Sequence, residues 1–176
     1  MKIILSLLFI VSSAHAAPKY NRKDWGYHLK DRKTCLNTRN KILKERSKSK
    51  VVMNKSGCSV ASGLWDDYYY PETHTLAVAV DIDHLVPLKH AHSLGGWKWS
   101  KSEKKAFATD PENLVITNKV YNQEKGDKTI AEWLPVNHNY ACKYLKDWMK
   151  IKAKYKLPIS DAEKNSVKKI EKCSLF

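Results

Sequence analysis

The chain has 176 residues, with 32 Lys and Arg against 18 Asp and Glu, a formal net charge of +14. An excess of that size implies an anionic partner held in a salt-sensitive way. The lysines run through most segments, which argues for a basic face on a folded domain and against a disordered basic arm.

Residues 1–16 have the three parts of a secretory signal. Lys2 supplies the charge, Ile3 to Val11 is apolar apart from Ser6, and Ala14-His15-Ala16 suits cleavage after Ala16. The apolar run is shorter than the roughly 20 residues of a membrane span, so no membrane anchoring is expected. Residues 17–176 are read as one domain, secreted or periplasmic, and monomeric. An oxidising compartment and an even set of cysteines, Cys35, Cys58, Cys142 and Cys173, predict two disulfides. None of the four forms a C-x-x-C pair, which argues against a cysteine-rich zinc site.

A helix is predicted from Thr34 to about Arg46, with Leu36, Arg39, Leu43 and Arg46 on one face. Ser59 to Trp65 and Thr73 to Asp83 read as strands around the Tyr68-Tyr69-Tyr70-Pro71 loop, and Pro87 ends the second run. Leu88 to Leu94 reads as a short helix closed by Gly95-Gly96, and Ser100-Lys101-Ser102-Glu103 as a capping box opening a helix through Ala108. Leu114 to Thr117 is a short apolar run, after which Asn118 caps a helix ending at Gly126. The strand, loop and helix that carry the motif residues then form a ββα unit.

In the last third, Tyr140, Tyr144, Leu145, Trp148, Met149, Lys152 and Tyr155 make a helical stripe. Pro158 breaks it and Ser160-Asp161-Ala162-Glu163 caps a second helix. Cys142 and Cys173 come level in such an antiparallel hairpin, which favours that pair and leaves Cys35 with Cys58. The fold class expected is α+β: a ββα core, flanking helices and a C-terminal helical hairpin.

The chemistry concentrates in Asp81-Ile82-Asp83-His84-Leu85-Val86-Pro87-Leu88, Asn113 and Asn122-Gln123-Glu124-Lys125-Gly126-Asp127. Phosphodiester hydrolysis needs an activated water, neutralisation of charge at phosphorus and help for the leaving oxygen. A histidine suits the first task and a hard ion held by carboxylate and amide oxygens the other two. Adjacent strand residues point to opposite faces, so Asp83 and His84 can converge only where the strand ends. Asp81 is either a supporting partner or a solvent-facing strand residue, and Glu124 and Asp127 are either outer carboxylates or solvated helix-end charges. His90 and His92 diverge on their helix. His138 and Cys142 have i, i+4 spacing that could ligate zinc, but oxidation of Cys142 is the preferred reading. Trp97, Trp99, Trp133 and Trp148 are read as core.

Asp83-His84 with Val86-Pro87-Leu88, then Asn113-Leu114, then Asn122 with Lys125, resembles the HNH (ββα-metal) endonuclease superfamily. Gly95-Gly96-Trp97-Lys98-Trp99 and Asn122-x-x-Lys125-Gly126-Asp127 are similar to a branch of secreted, stand-alone bacterial proteins of that type. The resemblance implies that His84 is the general base, Asp83 a metal ligand and Asn113 the residue orienting His84. Asn122 stands where many members have a second histidine, as in an HNN subgroup in which asparagine ligates a magnesium-like ion. The implied cofactor is one divalent ion, Mg2+ with Mn2+ as the alternative, and Lys125 is assigned to a phosphate. The expected activity is cleavage of DNA, with RNA a second substrate, through phosphate contacts and with little sequence preference. The competing reading is a secreted basic protein that binds nucleic acid or another polyanion without cutting it.

Overall fold

The computed structural model describes residues 17–26 and 29–168. The signal reading of residues 1–16 and the Cys173 end of the second bridge fall outside them.

Asn37 opens the first helix, α1 (Thr38–Glu45), by accepting from the Asn40 backbone N–H. The helix starts later than the apolar pattern suggests, because Cys35 sits at φ 54, outside helical space. Cys35 is bonded to Cys58, as expected, across 23 positions. Closing a loop of that length stabilises the fold by about 3 kcal/mol.

Three strands, β1 (Val52–Met53), β2 (Val60–Asp66) and β3 (Thr73–Leu76), form one antiparallel sheet in that order. The chain then leaves this sheet. A 3-10 turn at Ala77–Ala79 separates β3 from β4 (Val80–His84), so the valine-rich run expected as one strand is two strands in two sheets. The Arg39 guanidinium donates to the Ala77 carbonyl at 2.6 Å, giving that backbone oxygen a partner where the ladder is interrupted.

β4 pairs antiparallel with β5 (Leu114–Asn118), from Val80 opposite Asn118 to His84 opposite Leu114. Asn118 caps α4 (Lys119–Lys125) by accepting from the Val120 N–H. Strand, strand and helix thus follow as the sequence suggests, with β4 ending at His84. Between the strands lie α2 (Leu88–Ser93) and α3 (Lys101–Ala108). The Ser100/Glu103 capping box of α3 is formed in both directions, an arrangement that stabilises a helix start by about 1 kcal/mol. Gly96 is required for packing: a Cβ there would meet the Ala91 carbonyl oxygen at 2.7 Å and the Trp25 ring at 3.2 Å.

The core is largely aromatic. Tyr69 meets Trp133 edge-on at 4.8 Å and Tyr144 at 5.9 Å, beneath α5 (His138–Lys154). A second group joins Trp25 to Trp99 and Phe107 at 5.8 and 5.7 Å. Such edge-to-face pairs add about 1 kcal/mol beyond their buried area. From α6 (Asp161–Val167), Glu163 reaches back to α5, accepting from Trp148 Nε1 and from Lys152, whose ammonium is fully enclosed. The architecture is α+β, with two small open sheets and helices at the C-terminal end. Among the described residues no helix is long and apolar enough to cross a membrane.

Candidate active site

The end of β4 is held from three directions. Asn113, fully buried, accepts from the Val86 N–H at 2.8 Å and donates to the Val86 carbonyl at 3.2 Å. Its own carbonyl accepts from the Leu85 N–H at 2.8 Å. The residue therefore templates the turn after His84, its side-chain hydrogen bonds going to backbone and not to the imidazole. Pro87 then begins α2.

Asp83 lies over the aromatic core and is 8% exposed. Its Oδ2 accepts from the Tyr69 hydroxyl at 2.6 Å and pairs with the Lys125 ammonium at 2.7 Å. Lys125 also donates to the His84 carbonyl at 2.9 Å, and it is wholly buried. Its charge is thus directed inward at β4. Burial, with the Asp83 charge next, drives the Tyr69 hydroxyl well above its ordinary range and keeps it a donor. Both interactions fall on Oδ2, so among the described residues Oδ1 has no hydrogen-bond partner, and Asp83 lines an open cleft.

On α4, Asn122 donates through Nδ2 to Asp81 at 3.1 Å. A carboxylate only accepts, so this bond fixes which end of the amide is oxygen. Asp81 also stands 3.9 Å from Arg39, so it supports Asn122 from behind. Asn122 Oδ1, like Asp83 Oδ1, has no hydrogen-bond partner among the described residues and belongs to a residue of the same cleft. Two oxygen donors held by partners on their other atoms are the chemistry a hard divalent cation takes. No group of three or more His, Cys, Asp or Glu poised around a metal occurs among the described residues. The oxygens of one carboxylate and one amide fit an ion that keeps several waters.

His84 is 3% exposed. Its Nε2 lies 2.9 Å from the Ala108 carbonyl at the end of α3. A carbonyl cannot donate, so Nε2 carries the proton and Nδ1 is the basic nitrogen. Burial is the main cause of an imidazole pKa pushed down to about 4 from 6.5, and the ring is neutral at physiological pH. An unfolded imidazole binds its proton near 6.5 and the folded one only near 4. Stability from this group is therefore complete above about pH 6.5 and declines as pH falls toward 4. Between pH 7 and 4.5 the parent should lose about 2 kcal/mol through His84. Urea unfolding of the parent and of His84→Asn at both values checks this; equal losses in the two proteins would refute it.

The cleft has a volume of about 240 Å³ and brings Asp83, His84 and Asn122 together with Tyr20, Arg22 and Lys89. Lys89 pairs with Asp127 at 2.7 Å. Sequence reasoning missed Tyr69 and Arg22. The Tyr69 hydroxyl had no signal beyond its place in a tyrosine run, and Arg22 stands in a basic stretch far from the motif. The other candidates are engaged elsewhere. Glu124 accepts from Tyr70 and Trp133, and His90 sits by Lys152 and Glu163. His92 bonds the Pro18 carbonyl, and Cys142 is disulfide-bonded, so it offers no thiolate to pair with His138.

Residues 33–170 match the family described as "GmrSD restriction endonucleases, C-terminal domain". A protein of Arthroderma benhamiae named "Uncharacterized secreted protein" is 36% identical over 151 residues, 84% of this chain and 72% of the relative. No solved structure matches. The match spans most of the chain and includes Asp83, His84, Asn113 and Asn122, so the chain belongs to the family of the GmrSD restriction endonuclease C-terminal domain.

Proposed function

We propose that residues 17–176 form an exported, metal-dependent endonuclease of the ββα-metal type that hydrolyses phosphodiester bonds in DNA, and in RNA as a second substrate. The observation that carries this is the single cleft shared by a neutral imidazole with a fixed tautomer and two oxygen donors, Asp83 Oδ1 and Asn122 Oδ1. Membership of a nuclease-related family supports it. Export is supported by the signal-like residues 1–16 and by a relative named as a secreted protein.

His84 Nδ1 takes a proton from the attacking water as its oxygen bonds to phosphorus and the bond to the leaving oxygen breaks. A divalent ion, Mg2+ or Mn2+, held by Asp83 and Asn122 would supply charge neutralisation at the phosphoryl and leaving oxygens. Asn113 acts on His84 through backbone, fixing residues 85–86 and so the direction in which the imidazole leaves β4. Lys125 belongs with it as a positioning residue, holding the Asp83 carboxylate and the His84 carbonyl; at 0% exposure it suits that role better than contact with a phosphate.

The ligand roles predict a particular magnesium titration. Asp83→Ala and Asn122→Ala should raise the magnesium concentration for half-maximal cleavage by tenfold or more, on the order of losses seen on disturbing metal shells. Asn113→Ala should lower turnover at saturating metal with its half-saturation unchanged. Superimposable metal curves for parent and ligand variants would remove both ligand assignments.

A further inference from the structure

Helix α4 is clasped to β4 at two points. Asp81 and Asp83 are two apart on the strand and so point to one side of it, and Asn122 and Lys125 are three apart on one face of the helix. Asp83 meets Lys125, and Asp81 meets Asn122. The first clasp joins opposite charges. The second joins a carboxylate to an amide, and an amide has two unlike ends.

The two oxygens of Asp81 have different partners. Oδ2 accepts from Asn122 Nδ2 at 3.1 Å, and Oδ1 stands 3.9 Å from Arg39 Nη1. Arg39 reaches over from α1 and is fixed through its other nitrogen, Nη2, which donates to the Ala77 carbonyl at 2.6 Å. Its Nη1 is buried and has no hydrogen-bond partner among the described residues. Asn122 lines the cleft, as do Ile82, Asp83 and His84, and Asp81 does not. The Asn122 amide nitrogen is thus engaged by a group that is not part of the cleft wall.

We propose that Asp81 is a positioning residue: with Arg39 behind it, Asp81 makes Asn122 offer the cleft an oxygen and not an N–H. An asparagine holds a hard cation only through its oxygen. This rests on the nuclease reading above, which gives Asn122 to the metal. An isosteric change then inverts the clasp. In Asp81→Asn the side chain has a single oxygen, and the Arg39 guanidinium, which only donates, takes it. The new NH2 group faces Asn122, whose amide turns its oxygen round to accept, and an N–H is left for the ion.

The test measures Mn2+ binding by electron paramagnetic resonance, without DNA, in parent, Asp81→Asn, Asp81→Ala and Asn122→Ala. Asp81→Asn and Asp81→Ala lose the same charge, so the difference between them reads the orientation of the amide. Asp81→Ala leaves that amide free to turn and should weaken binding by about threefold, the effect of one screened charge. Asp81→Asn should weaken it by about tenfold or more and match Asn122→Ala. Equal Mn2+ affinity in Asp81→Asn and Asp81→Ala overturns the proposal, and so does a parent that binds no Mn2+. If Asp81→Asn fails to fold, the double variant Asp81→Asn/Asn122→Asp decides. Its carboxylate on α4 accepts from the amide on β4 and keeps one oxygen for the ion, so Mn2+ affinity should stay well above that of Asn122→Ala. Affinity as low as that of Asn122→Ala overturns the proposal. The expected order of Mn2+ affinities in a protein that cuts neither DNA nor RNA with any metal keeps the positioning role and ends the nuclease reading.

Discussion

His84→Ala should cut plasmid DNA at least a hundredfold more slowly than the parent, within the hundred- to ten-thousand-fold span typical for losing a general base. The variant removes the imidazole and leaves the basic surface, so DNA binding in chelator should stay close to the parent. Its stability should fall, because the Ala108 carbonyl loses its donor in a buried position, a cost of about 1–3 kcal/mol. The turn beyond His84 should survive, since Asn113 grips Leu85 and Val86 without using the ring. Steady-state cleavage beside thermal melting and DNA anisotropy separates the effects. A folded variant cutting at the parental rate would take the base role from His84.

Lys125→Met is the second large effect, and it lands on stability as much as on activity. Methionine keeps much of the stem volume and deletes the charge, so among the described residues Asp83 is left enclosed with Tyr69 as its one side-chain partner. Breaking a buried ion pair from one side costs about 3–5 kcal/mol. Urea unfolding should show that loss, and metal half-saturation should rise because Asp83 Oδ1 is no longer held in place. A surface phosphate contact would behave differently. Its loss would leave stability within about 0.5 kcal/mol and reduce the salt slope of DNA binding by about 0.9. A stable Lys125→Met protein with that altered slope would restore the phosphate role.

Lys125 also marks how far the sequence could be read. That Asp83, His84 and Asn122 meet at one cleft could be expected from a carboxylate beside a histidine at a strand end with an asparagine on the next helix. The burial of Lys125 was not. A lysine at a helix end before Gly126 is ordinarily solvated, and only the arrival of Asp83 from β4 beneath α4 gives its ammonium an enclosed partner. Arg22 was invisible for a similar reason: Trp25, buried among Trp99 and Phe107, carries it to the cleft. Local signals did better with local structure. The capping boxes at Ser100 and Ser160 and the Asn118 cap formed where the residues put them. The run from Thr73 to Asp83 misled because its alternation is unbroken in sequence. Its division between two sheets coincides with a distant side chain, Arg39, holding the Ala77 carbonyl.

The proposed reaction, cleavage of phosphodiester bonds in this cleft with a divalent ion, goes beyond the polyanion binding that a formal charge of +14 would favour. The most direct measurement follows supercoiled plasmid with the purified, oxidised protein at low salt, first with magnesium and then with chelator. Conversion to nicked and linear forms is expected with the metal, and arrest on chelation while the DNA stays bound. Binding without cleavage under magnesium and manganese would contradict it, and would leave a basic polyanion-binding protein in its place.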